Sequence, residues 1–445
     1  MKKIMLTALL MMMFYAYSQQ DSYTLKEAVD YALTHNTQIR KADNEILKAR
    51  KKVWETTAMG LPQVSGNVSY QRFIDKPVNL MPAKIFNPQA PPDTYIPVSF
   101  GTDQNMKWNL TVNQLVFSGS YITGLYSSRV YKQISELASE KTAQKVKEAV
   151  TQAYVNALLA DKSLEILNAN AETVRQSLFE TRQMYENGFV EETDVKQLEI
   201  TLAALENQLK YAEKMRETAY QMLNFSMGRN PDASLRLTDD LDKLSAQSVD
   251  LNLLEQSFEP EKNIDYLIAK NQLKSKKLMV RFEQSQMLPT IGAVYSYGKN
   301  AYNNEFKFFD EDQAWYKQSF IGLSINIPIF SALSRQKRVG QAKVDYENAL
   351  MDFRDKQTQL EIQFTKLKND YMNAVDKYHT QKKNLALAQE IERRERIKYK
   401  EGVGNSFQLN MARNQLYQTQ QQYLQALAEV IIKKTELENF LNNEK

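Results

Sequence analysis

The 445-residue chain contains no cysteine. Disulfides, thiolate metal sites, cysteine nucleophiles and a cysteine-linked lipid anchor are thereby excluded. Its two histidines, His35 and His379, leave almost no imidazole chemistry, and both lie in polar helical contexts that suit surface or interhelical residues. The 13 glycines and 11 prolines fall well below average usage of about 7% and 5%. So few breakers in so long a chain predict long uninterrupted helices. Beyond the N-terminus no window offers about eighteen apolar residues, and a mean hydropathy of -0.54 excludes a multi-helix membrane protein. Catalytic signatures are missing as well: there is no Walker-type phosphate loop, no Gly-x-Ser-x-Gly and no His-Glu-x-x-His. A net charge of +4 is too small for a nucleic-acid partner. Neither an enzyme nor a cofactor is expected, and the scattered methionines argue against a soft-metal relay.

What is present begins with a leader. Lys2 and Lys3 precede an apolar run from Ile4 to Tyr15, and Ala16-Tyr17-Ser18 offers a small-residue cleavage site before Gln19. Residues 1–18 read as a secretory signal peptide, because the run is too short to span a bilayer. An uncleaved N-terminal anchor is the alternative. A secreted chain rich in Lys and Glu, with no later span, is periplasmic, extracellular or a β-barrel.

The rest is a repeat. Leu61-Pro62-Gln63-Val64 through Tyr70 matches Leu288-Pro289-Thr290-Ile291 through Tyr297. Asn113 through Ser118 matches Asn326 through Ser331, and Tyr185-Glu186-Asn187-Gly188 matches Tyr399-Lys400-Glu401-Gly402. Three anchors in one order divide the chain into a first repeat, residues 19–227, a polar connector, 228–260, and a second repeat, 261–445. The first repeat carries a longer insert, Ile74 to Asn105, which reads as an exposed loop holding six of the eleven prolines.

Each repeat reads the same way. A helix comes first, about Thr24 to Ala58 and Lys262 to Gln286. Two alternating segments follow. A very long helix comes next, about Ser120 to Asn187 and Ser334 to Glu401. A glycine turn then leads to a last helix, about Glu192 to Met227 and Ser406 to Asn442. The long helices would span roughly 100 Å at 1.5 Å per residue, so they must pack as coiled coils.

The alternating segments are strands of period two. Val64, Val68 and Tyr70 oppose Ser65, Asn67, Ser69 and Gln71. Met106, Trp108, Leu110 and Val112 oppose Lys107, Asn109, Thr111 and Asn113. Ile291, Ala293, Tyr295 and Tyr297 oppose Gly292, Val294 and Ser296. Ile321, Leu323, Ile325 and Ile327 oppose Phe320, Gly322, Ser324 and Asn326. One face is apolar and the other small or polar. Such a sheet either covers a soluble core or forms a transmembrane barrel wall, apolar toward lipid and polar toward the lumen. In a barrel, Trp108 and Trp315 lie where an aromatic girdle would sit. Four strands cannot close, and an open edge cannot face lipid, so the barrel reading requires oligomerisation; three chains would supply twelve strands.

Several local motifs carry a family likeness: Tyr23-Thr24-Leu25-Lys26-Glu27-Ala28-Val29 with His35-Asn36, the two Leu-Pro strand entries, Tyr185-x-x-Gly188 with Thr193-Asp194-Val195, and Tyr399-x-x-Gly402 with Gly404. In this order they resemble the TolC-type outer-membrane efflux proteins over nearly the whole mature chain. The resemblance implies a mixed α and β fold with two structural repeats. It implies a trimeric twelve-stranded outer-membrane β-barrel, four strands per chain, continued by a long α-helical coiled-coil periplasmic tunnel. It also implies a homotrimer in outer-membrane lipid, docked on a periplasmic membrane-fusion adaptor and an inner-membrane pump of the RND or ABC type. The function so implied is a passive exit duct for efflux or for type I secretion. A periplasmic structural or adaptor coiled coil without a barrel is the alternative.

Two groups of site residues follow. Tyr185, Gly188, Tyr399, Gly402 and Gly404 mark the turns. Gly188 and Gly402 suit positive φ at a helix C-terminus, and by resemblance the turns meet the adaptor. Glu191, Glu192 and Asp194 follow the first turn, either as carboxylates stabilised by the helix dipole or, by resemblance, as an acidic periplasmic entrance. Gln408 stands at the matching place after the second turn, where the family often carries a pore Asp and a gating Arg. That departure predicts an entrance ring that either comes from the first repeat or is replaced by Gln408 amides.

Overall fold

The computed structural model describes residues 22–442; the expected signal peptide lies outside the described residues. In chain order the elements are β1 (Ser22–Tyr23), α1 (Leu25–His35), α2 (Thr37–Ala58), β2 (Gln63–Arg72), β3 (Val78–Pro82), β4 (Tyr95–Ser99), β5 (Gln104–Ser118), α3 (Gly119–Glu186), α4 (Glu192–Met227), β6 (Arg236–Leu237), α5 (Leu241–Gln247), α6 (Asn252–Glu255), α7 (Ile264–Ser285), β7 (Thr290–Asn303), β8 (Trp315–Asn326), α8 (Ser334–Lys400) and α9 (Ser406–Leu441). The paired lengths follow the repeat: α3 and α8 have 68 and 67 residues, and α4 and α9 have 36 each. The chain divides into two compact units, one made of residues up to Leu47, Ile134–Asn271 and Met351 onward, the other of Lys48–Gln133 and Gln272–Leu350.

The first unit is helical. Its core gathers Val150, Tyr154, Val155, Leu223, Met227, Tyr371, Leu424, Leu427 and Leu437, from both repeats, at 0–1% exposure. Two buried tyrosine hydroxyls there are paired. The Tyr154 hydroxyl lies 2.9 Å from both the Tyr23 carbonyl and Asp239 Oδ2, two acceptors for its one proton. Tyr371 donates to the Ser248 carbonyl at 2.8 Å and accepts the Asp250 N–H at 2.8 Å. These hydroxyls tie the connector to the helices. The connector itself is more structured than its polar sequence predicts, since β6 pairs in parallel with β1 and α5 packs by Ser245 on the Leu427 carbonyl.

The single helix expected over Thr24 to Ala58 is two. Asn36 interrupts it with an extended backbone, ψ 136°. Its Oδ1 accepts the Gln38 N–H at 2.7 Å, which caps α2, while its Nδ2 donates to the Ser226 carbonyl at 2.6 Å. Only an amide serves both roles. Gly228 closes α4 against this break at φ 83°, where an added Cβ would meet the His35 carbonyl at 2.7 Å.

The second unit holds a four-stranded antiparallel sheet of order β2-β5-β7-β8. The strands are longer than the alternation alone predicts. The insert expected as a loop carries its own hairpin, β3 with β4, because Pro82 and Pro97 sit at positions of a two-stranded ribbon where an edge tolerates them.

Candidate functional site

Register decides which side chains share a face. Val64, Val112, Tyr295 and Ile321 form one row across all four strands. Gly66, Leu110, Tyr297 and Ser319 form the next, and Phe117 stands beside Ile291 and Ile325 after a bulge. The apolar sets expected from the alternation lie on this face, except Ile327, which falls just beyond the end of β8. Much of it is bare: Val68, Ile321 and Leu323 are 73%, 83% and 66% exposed. Toward the β7–β8 connection the face is covered locally, where Met106 and Ala301 are buried with Phe308 and Trp315 packs against them. Trp108 and Trp315 are both on it. Trp315 opens β8, whereas Trp108 sits four residues inside β5, in a row with Val68 and Lys299.

The opposite face carries Ser65, Thr111, Ser296 and Phe320 in one row, and Asn67, Asn109, Gly298 and Gln318 in the next. Asn109 Nδ2 donates to Thr111 Oγ1 at 3.0 Å, and Asn300 Nδ2 to Gln318 Oε1 at 3.0 Å. Amides and hydroxyls predominate on this face, with one charge, Lys107, in the row of Ser69 and Asn300. Gly298 keeps the strands close, since a Cβ there would lie 2.4 Å from the Trp108 carbonyl. The outer edges of β2 and β8 have no strand partner among the described residues.

The two turns lie in the first unit and close alike. Gly188 N–H bonds the Tyr185 carbonyl at 2.9 Å and Phe189 N–H the Met184 carbonyl at 2.8 Å; Gly402 N–H bonds Tyr399 at 3.1 Å and Val403 N–H bonds Lys398 at 3.0 Å. The glycines adopt φ 76° and φ 70°. This is the left-handed helix stop that favours glycine. An added Cβ would meet nothing within 4 Å at either position. Gly404 is packed differently, with the Lys398 Cβ 3.0 Å from where its own Cβ would be. Tyr185 is exposed, and the Tyr399 hydroxyl lies 3.2 Å from that of buried Thr181 on α3.

The acidic residues separate. Glu192 pairs with Lys196 at 2.8 Å. Glu191 accepts from the Thr193 hydroxyl at 3.0 Å. Asp194 reaches back to the Glu191 N–H at 3.4 Å and accepts a short hydrogen bond from the Ser406 hydroxyl. Gln408 is exposed, its N–H held by the Asn405 side chain at 2.8 Å. The structure thus brings Asp194 to the second turn through Ser406, while Gln408 makes its backbone contact within its own helix.

Two features escaped the sequence reading. Ser406 and Thr181 bond across repeats, and hydroxyls give no periodic signal. Arg413 is 4% exposed, its Nη2 donating to Ser177 Oγ at 2.8 Å, with Glu392 3.7 Å from its Nε. A signal was there to read: Arg413 is the one charge between Glu401 and Glu429.

The sequence matches the family described as outer membrane efflux protein over residues 28–229 and 262–443. No curated protein matches it by sequence. Solved structures are similar in fold. The outer membrane protein VceC from Vibrio cholerae superposes with a TM-score of 0.72 at 15% identity, over 94% of this chain and 95% of that one. CusC, described in terms of transmembrane channel formation, gives 0.76 at 17%, over 94% and 91%. The Campylobacter jejuni CmeC outer membrane channel gives 0.70 at 16%, over 95% and 87%.

Proposed function

The chain belongs to the outer membrane efflux protein family, and from that premise we propose that three copies form a passive exit duct through the outer membrane. One observation carries this reading. A four-stranded sheet has one largely bare apolar face, one mainly polar face and two edges without a strand partner among the described residues. In lipid every backbone polar group must be paired, so open edges require neighbours. Three sheets supply twelve strands, above the minimum of about eight for a bacterial barrel. The helices support the same assembly. Tyr211, Met215, Met222 and Phe225 form an exposed stripe along α4 beside a groove of about 1680 Å³. A neighbouring copy would fill it, and the long helices would line the periplasmic conduit.

Transport is passive in this reading, because the polar face offers a hydrated wall. Energy and direction come from an inner-membrane pump of the RND or ABC type, reached through a periplasmic adaptor that meets the turns at Gly188 and Gly402. Open space around both glycines leaves room for a partner backbone. Small-molecule efflux and type I secretion share this duct.

The test is mass and conductance together. Detergent-purified protein should have the mass of three mature chains and form channels in a planar bilayer. A stable monomer or dimer with channel activity would overturn the trimer.

A further inference from the structure

The apolar face of the sheet has one discordant row. Val68, Trp108, Lys299 and Lys317 lie side by side across β2, β5, β7 and β8. Two lysines are therefore direct cross-strand neighbours on a face made mainly of aliphatic and aromatic residues, whose other polar side chains, such as Arg72, Gln104, Gln114 and Ser319, lie in other rows. Directly opposed like charges destabilise a sheet. Neither lysine has an ion-pair partner among the described residues. Two carboxylates of the strand-connecting loops are engaged elsewhere, Asp103 with Lys76 at 2.5 Å and Glu305 with Lys307 at 2.6 Å.

The height of the row is informative. Lys317 is eight residues from Ile325, which ends the apolar series on β8 at the helix-bearing end of the sheet. That is about 27 Å along the strand and about 20 Å along the membrane normal at the usual barrel tilt. An outward apolar band is about 25 Å tall. The lysines therefore stand at its rim on the loop side, where lipid headgroups begin. Amphipathic aromatics surround them. Trp108 shares the row and stacks edge-on with Tyr297 at 5.8 Å, and Trp315 lies one row further toward the loops. Such residues mark the interface.

We propose that Lys299 and Lys317 form an anion site on the lipid-facing surface that holds a phosphate of the phosphorylated lipid in the outer leaflet. Two flexible stems from adjacent strands converge on one phosphate, which removes their mutual repulsion. Trp108 and Tyr297 bound the acyl side of the site. A free phosphate would satisfy the charges alone; the flanking aromatic and aliphatic surface selects an anion that carries a chain. The proposal rests on the outward orientation given under the proposed function.

The experiment uses detergent-purified assembled protein and native mass spectrometry, with diphosphoryl lipid A, its dephosphorylated form and inorganic phosphate as separate probes. Diphosphoryl lipid A should bind the wild type. Lys299→Gln with Lys317→Gln should weaken it about thirtyfold, at about fivefold per lysine, and the double arginine variant should restore it. The dephosphorylated lipid should bind weakly to all three. Equal binding to wild type and double glutamine variant overturns the site, as does equal binding of the dephosphorylated lipid, or displacement of the lipid by equimolar phosphate. If the double variant fails to assemble, exposed Lys317→Gln alone should show the fivefold loss, and no loss there overturns the proposal. Orientation is read separately. Of the three tryptophans, Trp54 is replaced by Phe, and brominated lipids in proteoliposomes should quench Trp108 and Trp315. Absence of quenching refutes the outward face itself; quenching with unchanged lipid A affinity refutes only the lysine site.

Discussion

Asp194, in the first turn of α4, accepts a hydrogen bond from Ser406, the first residue of α9. The bond joins the two glycine turns of one chain, one from each repeat. Asp194 is also the residue that returns to the Glu191 N–H at the start of its helix. One carboxylate thus caps a helix and clasps two hairpins.

Removing either end of this clasp should loosen the turns. A charged hydrogen bond contributes about 1.5–3 kcal/mol. Asp194→Asn and Ser406→Ala should each raise the single-channel conductance of the purified protein, and the double variant should add nothing to the larger single effect. Additive increases would show that the two residues act separately.

The turn glycines should matter for transport more than for folding. Their positive φ costs a replacement about 1 kcal/mol, and no neighbour within the chain obstructs a side chain. Gly402→Asp should reach the outer membrane as assembled protein yet fail to restore efflux-dependent resistance in a host lacking its own duct. Full resistance at normal expression would mean that the turn meets no partner.

With Asp194 committed to Ser406, cation block should depend on Glu191 and Glu192 as well. Gathered carboxylates attract multivalent cations. Glu191→Gln, Glu192→Gln and Asp194→Asn combined should weaken block by a trivalent cation in planar-bilayer recordings, whereas Gln408→Ala should leave it nearly unchanged. Unaltered block in the triple variant would place these acids on the outer, helix-capping side.

Alkaline pH should unfold the helical unit through its tyrosines. Burial first, and the hydrogen bond to Asp161 second, push the Tyr220 hydroxyl up to about 12 from its ordinary 10.0. Tyr154 and Tyr423 shift upward for the same reasons, with Asp239 and Asp242 as partners. The folded state holds these protons more tightly than the unfolded chain. Their contribution is complete below pH 10 and is lost as the pH rises toward 12. Thermal unfolding followed by circular dichroism should show this decline, and Tyr220→Phe should make it shallower.

Much of this architecture follows from residue order alone. Side chains alternate across a strand, so Ile321, Leu323 and Ile325 share a face in any sheet that contains them. The Tyr-x-x-Gly pairs announce two helix stops, because glycine alone adopts the left-handed turn cheaply. The matching anchors announce two repeats. Other relationships needed three dimensions. The break at Asn36 depends on the Ser226 carbonyl, 190 positions away. The clasp depends on residues 212 positions apart. Lys299 and Lys317 are each ordinary in their own strands, and they become a charged pair only when the β7–β8 register sets them side by side. Periodicity is a property of each segment by itself, whereas register is set by how segments are joined and packed, and so it was decided only in the folded chain.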